Sequence, residues 1–496
     1  MTDIKKLKQI DSKILNLKGI VSLLSFDQQT LMPKKAAKER AEQIALLSVE
    51  IHKLMTGDEL FETLQALKEK KSYRKLSILN KAYVDKFLKE VKRIRKLPEE
   101  FVEEFSRLTS NAHMVWEEAK QKNDFELFKP YLEKIVEMSR QKAKLIDSTK
   151  NPYDVLMYDY EKELTTKKVD EVFIPLKKEI ISLLEKIKKS KNYNKETVLK
   201  NVSFENQMAI NKKIAELVLE KKQNWAFAQS IHPFTTTISP SDVRITTKVL
   251  EDNPLSSFTS TAHESGHALY ELNFGKNIKG TFLAHAAGLG VHESQSRLWE
   301  NQVFKSEDFW NGFYEEYKDQ TGLDLSKEDF FLHLNKVKPN LIRVEADELT
   351  YGLHIIIRYE LERDLMNQKL EVKDLQKAWN NKYKEYLGLD VPNDSLGVLQ
   401  DVHWSSGYIG YFPTYLIGSI YSATIFNTIK KKNSNLQEEI KNKDFSFIRT
   451  WLKHNIHSHG ATLLPEDLIE YACGSGLTPK DYVNYLNDKY KKLYDL

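Results

Sequence analysis

The chain has 496 residues, of which 41% are hydrophobic and 29% are charged, a composition typical of a globular protein with room for two or three domains. The 75 basic and 71 acidic residues leave a net charge of only +4, and the lysine-rich runs are short and isolated, which argues against a nucleic acid partner. The single cysteine, Cys473, excludes an intrachain disulfide framework and predicts a reducing compartment.

The first half of the sequence predicts a series of amphipathic helices. Met1–Lys6 leads into apolar positions at helical spacing instead of the apolar block of a signal peptide. No apolar run approaches the ~20 residues that span a bilayer, so we expect a cytoplasmic protein without a membrane partner. Helical patterns continue to about residue 230, over 4–24, 38–54, 58–70, 75–96, 98–122, 125–147 and 167–189.

The middle of the chain contains the best β-type pattern. Residues 234–249 alternate around the turn residues Ser239–Asp242, which predicts a small β-hairpin in which Arg244 pairs with Asp242. The rest of the chain is predicted to be helical, without repeats, low-complexity tracts or linkers. We therefore predict one all-α domain over 1–496. Its parts are N-terminal helices to about 230, catalytic motifs over 231–415 and C-terminal helices over 416–496.

The segment His263–His267 carries two histidines four positions apart with Glu264 between them. On a helix these positions lie on one face, so both imidazoles can bind one metal ion. The flanking residues are uncharged, as expected of a buried helix, where a His-Glu-His cluster needs polar partners. The pattern predicts a metal-dependent hydrolase in which Glu264 is the general base acting on water.

A catalytic site of this type requires a third protein ligand and one open position. Glu293 is the favoured ligand, because it lies on a second predicted helix that follows the turn Gly288–Gly290. His292 is the alternative, but adjacent helix residues point about 100° apart, so only one of the two faces the metal. Glu300 is interpreted either as a carboxylate that orients a ligand histidine or as a structural ion pair. The donor set suits Zn²⁺, with Co²⁺ or Mn²⁺ as alternatives.

With this site in place, the chain resembles the carboxypeptidase Taq family of metallocarboxypeptidases over nearly its full length. Ser25–Thr30 is similar to a motif of that family, with Phe26 replacing the usual Trp. The other similar segments, in the family's order, are Pro152–Glu161, His232–Phe234, Asp242–Thr246, His263–His267, His292–Gln295, Ile342–Asp347 and Gly397–Trp404. So many motifs in one order are far more specific than the two histidines alone.

The resemblance implies an all-α, neurolysin-like fold with a deep substrate groove, assembled as a homodimer. It also implies stepwise removal of C-terminal residues from peptides that have a free C-terminus, with broad specificity. The family's metal ligands correspond to His263, His267 and Glu293, and its general base corresponds to Glu264, in agreement with the spacing argument. The alternatives are an endo-oligopeptidase on the same scaffold and, less favoured, a non-catalytic peptide-binding protein.

The later motifs supply candidates for substrate binding. Arg343 is the leading candidate for the substrate's C-terminal carboxylate, because arginine binds carboxylates through two parallel hydrogen bonds. The alternative is a structural pair between Arg343 and Asp347. Arg244 is a weaker candidate for the carboxylate, and its pairing with Asp242 in the hairpin is favoured. The other candidates are His403 and Tyr408 as catalytic donors to the oxyanion, and Tyr411 and Gln400 as substrate-binding residues. Gln400 and Asp401 are also interpreted as positioning His403 or the substrate. His454, His457 and His459 are interpreted as surface or interface histidines instead of a second metal site.

Overall fold

Helices make up almost all of the regular structure. The computed structural model describes residues 3–496, so Met1 and Thr2 of the predicted N-terminal segment lie outside the described residues. Within that range the α-helices are α1 Asp3–Thr30, α2 Ala37–Thr56, α3 Asp58–Lys68, α4 Lys70–Arg74, α5 Ile78–Ile94, α6 Glu99–Lys122, α7 Phe125–Asp147, α8 Pro152–Met157, α9 Thr166–Ile187, α10 Phe204–Leu219, α11 Pro254–Leu272, α12 Leu289–Arg297, α13 Glu307–Thr321, α14 Lys327–Leu334, α15 Glu348–Met366, α16 Leu375–Leu387, α17 Pro413–Lys432, α18 Leu436–Lys441, α19 Ser446–Asn455, α20 Pro465–Cys473 and α21 Lys480–Tyr494. The predicted all-α fold is confirmed, and each of the seven predicted N-terminal helices forms.

Local sequence explains where several of these helices begin. Thr165 precedes α9 in extended conformation and its hydroxyl accepts a hydrogen bond from the Lys168 amide, which satisfies one free N–H of the first turn. Pro98 immediately precedes α6. Pro254 occupies the first turn of α11, where a backbone N–H would have no partner within the helix, so its absence in proline costs no hydrogen bond. No helix within residues 3–496 is long and apolar enough to cross a membrane.

A three-stranded sheet packs against α11. Its strands are β1 Trp225–Gln229, β2 Thr235–Ser239 and β3 Asp242–Thr247, in the order β1-β3-β2. The predicted hairpin is the antiparallel pair β2–β3, and Arg244 binds both carboxylate oxygens of Asp242 at 3.0 and 2.9 Å, as expected. β1 was not predicted; it runs parallel to β3 and pairs Phe227 with Ile245.

Two glycines allow the helices around the HExxH segment to approach closely. A Cβ atom at Gly266 of α11 would lie 2.5 Å from the Gln295 carbonyl oxygen of α12. A Cβ atom at Gly418 of α17 would lie 2.4 Å from Cγ of Glu293 on the other side of α12. Helix α12 is therefore held between α11 and α17 at backbone contact distance. After Arg297 it continues into a π-helical turn, Leu298–Phe304.

Candidate metal centre

Three side chains from α11 and α12 converge on one point. The Nε2 atoms of His263 and His267 are 3.2 Å apart. Oε2 of Glu293 lies 3.6 Å from Nε2 of His263 and 3.5 Å from Nε2 of His267. Ligands at about 2.1 Å from a tetrahedral metal ion would be separated by about 3.4 Å, so the three atoms fit one divalent ion. They form the one group of histidine, cysteine or acidic side chains found with this geometry among the described residues.

Charged neighbours hold the ligands in place. Nδ1 of His263 lies 2.9 Å from Oε2 of Glu300, the orienting contact that was one of the two interpretations of this glutamate. Arg297 donates to Glu293 at 2.7 Å and to Glu300 at 3.2 Å, and Lys305 donates to Glu300 at 2.9 Å. Carboxylates that accept from a ligand histidine fix its tautomer and raise its basicity, and Glu300 is positioned to do so for His263 while it also pairs with Arg297 and Lys305.

Burial and local charge set protonation states that suit a metal. Burial lowers the pKa of His267 to about 3, and the nearby His292 contributes, so this imidazole is neutral and offers a lone pair. Burial opposes ionisation of Glu293, but Arg297 and His263 hold the pKa of its carboxyl well below its usual range. Burial lowers the pKa of His263, but the carboxylates beside it raise this pKa by more, so the net shift is upward. A cation binding at Nε2 replaces that proton.

Glu264 lies beside the ligands without being one of them. Its carboxylate accepts a hydrogen bond of 2.6 Å from the hydroxyl of Thr235, at the start of β2. Burial raises the pKa of Glu264, while the charge of His263 and the Thr235 hydrogen bond act in the opposite direction. The predicted general base, Glu264, thus contacts the sheet through Thr235, and its raised pKa moves it towards the range in which a carboxylate takes up and releases protons readily.

His292 contacts Glu271 and stacks on the His267 ring next to the candidate metal centre. Its Nε2 lies 3.0 Å from Oε1 of Glu271, and its ring stacks on that of His267 with centroids 4.2 Å apart. Glu271 also accepts from the hydroxyl of Thr237 at 3.1 Å. The preference for Glu293 over His292 as the ligand agrees with this arrangement, because the carboxylate is the group that faces the two imidazoles.

Arg343 is buried in a short 3₁₀ turn, Arg343–Glu345, and its partner is not the one that spacing suggested. Its Nε and Nη2 lie 2.9 and 2.8 Å from Oδ1 of Asp401, and Nη1 donates to the Tyr351 hydroxyl at 3.3 Å. The expected alternative, a pair with Asp347, is wrong, because Asp347 caps α15 and accepts from Thr350. These contacts use three of the five guanidinium N–H groups and leave two.

Gln400 lies directly behind this arginine. Its Oε1 accepts from the backbone N–H of Arg343 at 2.9 Å and from Nη2 of Arg358 at 2.7 Å, while its Nε2 donates to the Leu341 carbonyl at 3.0 Å. Arg358 also donates to Oδ2 of Asp401 at 2.7 Å. The Gln400 amide therefore fixes the position of Arg343, and direct binding of substrate by Gln400 stays a prediction.

His403 and the aromatic residues after it form one cluster. Nε2 of His403 lies 3.2 Å from the Tyr415 hydroxyl, and its Nδ1 has no hydrogen-bond partner within residues 3–496. Burial lowers the pKa of His403 to about 4, so the ring is neutral near pH 7 and carries one N–H donor. Tyr411 lies 5.4 Å from the His403 ring, and the half-exposed Tyr408 stacks on Tyr411 at 6.2 Å.

One prediction about histidines is wrong. His457 is completely buried, and its Nε2 lies 2.9 Å from Oε1 of Gln295 in α12, with its ring 5.1 Å from that of Tyr270. His457 therefore packs behind the ligand helix, whereas His454 lies at the exposed end of α19. Neighbouring positions in the sequence diverge here because the segment is a kinked 3₁₀ turn, not a continuous helix.

A family model described as carboxypeptidase Taq (M32) metallopeptidase matches residues 6–490. The chain belongs to that family. It is 36% identical over 492 residues to Carboxypeptidase 1 of Bacillus subtilis and 34% identical over 494 residues to Thermostable carboxypeptidase 1 of Pyrococcus furiosus. These alignments cover 97% and 98% of both chains. The protein is accordingly a metallocarboxypeptidase, a peptide hydrolase.

Solved structures of carboxypeptidases are similar to the chain over its whole length. The M32 carboxypeptidase from Deinococcus radiodurans superposes with a TM-score of 0.94 at 34% identity and covers 100% of both chains. Metallocarboxypeptidase 1 of Trypanosoma cruzi gives a TM-score of 0.95 at 33% identity and covers 99% of both. The fold and the reaction class thus rest on two independent comparisons.

Several residues of this M32 site were missed by sequence reasoning. Arg297 is one helical turn after Glu293, so the i, i+4 spacing of opposite charges was an available signal. Thr235 carried no comparable signal, since it meets Glu264 only through a tertiary contact. Asp401 was expected to position His403 or the substrate, and its pairing with Arg343 was not predicted.

Proposed function

We propose that this metallocarboxypeptidase removes C-terminal amino acids one at a time from peptides with a free C-terminus, with broad specificity. The observation that carries the proposal is the convergence of His263, His267 and Glu293 within 3.2–3.6 Å of one another, beside Glu264. Zn²⁺ is the ion that two imidazoles and one carboxylate suit best, and Co²⁺ and Mn²⁺ are the alternatives for the same three ligands. When bound, such an ion lowers the pKa of a water molecule and polarises the scissile carbonyl.

The protein's own groups supply the proton transfers and the binding of charge. Glu264, oriented by Thr235, takes a proton from the attacking water and delivers it to the leaving amine. His403 is neutral and donates its N–H to the oxyanion of the tetrahedral intermediate, with the Tyr408 hydroxyl as a second donor. Tyr411 binds the peptide beside His403.

Arg343 binds the substrate's C-terminal carboxylate. Asp401 orients the guanidinium from one side, and the two N–H groups that remain are the number a carboxylate requires for a bidentate contact. The ring of Tyr415, which contacts His403, lies 5.1 Å from the same guanidinium. The carboxylate site and the oxyanion donor therefore share one wall of aromatic residues.

The direct test combines metal analysis of the purified protein with mass-spectrometric product ladders from a short peptide. We expect about one zinc ion per chain and sequential loss from the C-terminus. Glu264→Gln should keep the metal and lower kcat by a factor of about 10²–10⁴, the usual contribution of a positioned base. Internal cuts in the peptide, or wild-type activity of Glu264→Gln, would refute the proposal.

Arg343→Lys tests the carboxylate contact while keeping a positive charge opposite Asp401. Two peptides that differ only in a free or an amidated C-terminus provide the comparison. The variant should lose kcat/KM for the free acid by about tenfold or more, the value of one hydrogen bond between charged groups, with little change for the amide. Equal losses for both peptides would show that Arg343 acts only through the fold.

Two further properties belong to the proposal. We expect a homodimer, which light scattering of the purified protein measures directly, and a cytoplasmic location, which fits the single cysteine.

A further inference from the structure

The 403–411 loop carries residues proposed to contact the substrate, but it has no regular structure. Its residues form turns, without a helix or strand. Within the loop the Tyr408 N–H donates to the His403 carbonyl at 3.0 Å, and Gly407 takes a positive φ of 73°. Because the loop lacks the repeated hydrogen bonds of a helix or a sheet, its shape depends on contacts with the rest of the fold.

One buried carboxylate binds this loop near both of its ends. Glu362 of α15 is completely buried. Its Oε1 accepts from Nε1 of Trp404 at 2.8 Å, and its Oε2 accepts from the backbone N–H of Gly410 at 2.9 Å. Trp404 directly follows His403 in the chain, and Gly410 directly precedes Tyr411. The two contacts therefore fix the backbone next to two of the residues proposed to act on the substrate.

A third donor to Glu362 lies outside the loop. The Tyr153 hydroxyl of α8 donates to Oε2 at 2.8 Å. Burial raises the pKa of Glu362 to about 7, while the hydrogen bonds from Gly410, Trp404 and Tyr153 act in the opposite direction. If the loop moved away, Tyr153 alone of these three donors would remain for a buried anion, at a high cost in free energy. The ionised carboxylate and the observed loop conformation therefore stabilise each other.

Helix α15 also holds the chain just before the loop. Arg358 donates to Oδ2 of Asp401 at 2.7 Å. Arg358 and Glu362 are four residues apart, so they lie one turn apart on one face of α15. The helix thus offers a cation to the carboxylate of Asp401 and an anion to the N–H group of Trp404. His403 lies between these two contacts in the chain.

We propose that Glu362 is a positioning residue that holds the 403–411 loop in the conformation required for catalysis. It does not touch the substrate; it acts through Trp404 and Gly410 on the neighbouring His403 and Tyr411. The consequence for catalysis rests on the proposed function, in which His403 donates to the oxyanion, whereas the anchoring of the loop does not. An oxyanion donor acts in the transition state, so release of the loop should lower kcat by more than it raises KM.

Glu362→Gln tests the anchor in the metal-loaded, full-length enzyme. An amide accepts through one oxygen only and turns its NH₂ group towards Trp404 or Gly410, so one end of the loop loses its partner. We expect kcat to fall by about tenfold or more, the value of one hydrogen bond to a charged group, with a smaller change in KM. Wild-type kcat in this variant would overturn the proposal.

Tyr153→Phe is the matched control, because it removes a hydrogen bond from the same carboxylate without touching the loop. It should lose thermal stability but keep the wild-type kcat. If Tyr153→Phe lowers kcat as much as Glu362→Gln does, the effect comes from general loss of stability, and the positioning role is refuted.

A pair of tryptophan variants gives an independent test in case Glu362→Gln does not fold. Trp404 and Trp379 are 3% and 1% exposed, and their rings are 5.9 Å apart. Replacing either by Phe removes the same volume, but Nε1 of Trp379 has no hydrogen-bond partner within residues 3–496. Trp404→Phe should lower kcat by about tenfold, and Trp379→Phe should not. Equal kcat values in the two variants would contradict the proposal.

Hydrogen exchange reports on the loop itself. Peptides covering residues 403–411 should exchange about tenfold faster or more in Glu362→Gln than in wild type, and at the wild-type rate in Tyr153→Phe. Unchanged exchange in Glu362→Gln would refute the anchor.

The two proposals fail separately. Internal peptide cuts by the wild type, together with faster loop exchange and a lower kcat in Glu362→Gln, would overturn the exopeptidase function alone. C-terminal ladders together with wild-type kcat in Glu362→Gln would overturn the role of Glu362 alone.

Discussion

Replacing Gly418 with alanine should weaken metal binding without any change in the ligands themselves. Gly418 lies on α17, and its added Cβ atom would be 2.4 Å from Cγ and 2.5 Å from Cβ of Glu293. Carbon atoms that are not bonded prefer about 3.5–4.0 Å, so the two helices must separate by about 1 Å. Metal–ligand distances tolerate deviations of only about 0.2 Å.

Helix α12 has no free direction in which to relieve this overlap. On its far side the backbone of Gln295 and Ser296 already meets α11 so closely that only Gly266 fits opposite. We therefore expect Gly418→Ala to displace the Glu293 carboxylate and lower metal affinity by about 10–100-fold, the range seen when the support of a ligand is lost. Overpacking should cost about 1–3 kcal/mol of stability, partly offset by the higher helix propensity of alanine, about 1 kcal/mol.

Competition with a chelator measures the affinity, and thermal unfolding measures the stability. Gly352→Ala on α15 is the matched control, because its Cβ atom meets the flexible ends of Ile180 and Leu416 at 3.0 and 3.3 Å. That variant should bind metal as wild type does. If Gly418→Ala also binds metal as tightly as wild type, contact between α12 and α17 does not position Glu293, and the reasoning fails.

Three further predictions concern groups around the site. Thr235→Val removes the hydrogen bond to Glu264. In steady-state assays this variant should have a kcat about tenfold lower and an unchanged KM. An unaltered kcat would mean that Glu264 does not need this hydrogen bond for its orientation. Glu300→Gln should weaken metal binding about 10–100-fold in chelator competition, because the partner of His263 loses its charge; wild-type affinity would contradict this. Burial raises the pKa of Glu161 to about 8, so its carboxyl is protonated in the folded protein where the unfolded chain is ionised. The free energy of unfolding should therefore fall as pH rises from about 5 to 8, by up to ~1.4 kcal/mol per unit, and Glu161→Gln should lack this component. Parallel denaturation profiles of the two proteins would show that Glu161 is ionised when folded.

Local periodicity was sufficient for much of the fold. The seven N-terminal helices were predictable because their apolar positions repeat at helical spacing, and β2 and β3 were predictable because a turn separates two alternating runs. β1 was not, since Trp225–Gln229 is short and exists only by parallel pairing with β3. Strand pairing across the chain is a tertiary property that a five-residue pattern does not encode.

In the candidate site, too, some residues were predictable from local sequence and others were not. His263 and His267 were predictable because they lie one turn apart on one helix. Glu293 was predictable because it lies on the second helix, after the turn Gly288–Gly290. The partner of Arg343 was not predictable, since Arg343 and Asp347 belong to different elements and the i, i+4 rule applies within one helix. The partner, Asp401, lies on a loop 58 positions later in the chain, where only the fold brings it near.

Charge balance explains why a second carboxylate can lie next to the ligands without disturbing the metal. Glu293 and Glu300 are both negative, and Arg297 and Lys305 contact them at 2.7–3.2 Å, so four buried charges cancel before any cation binds. The charge of a divalent ion bound by the three ligands would therefore not be neutralised by these four groups. Ionised Glu264 would lower the net charge of the site from +2 to +1. The net positive charge left at the reacting carbonyl is the sign that stabilises an oxyanion. Loss of Arg297 would bring this remaining positive charge to zero, so Arg297 contributes to the charge of the centre as well as to the position of Glu293.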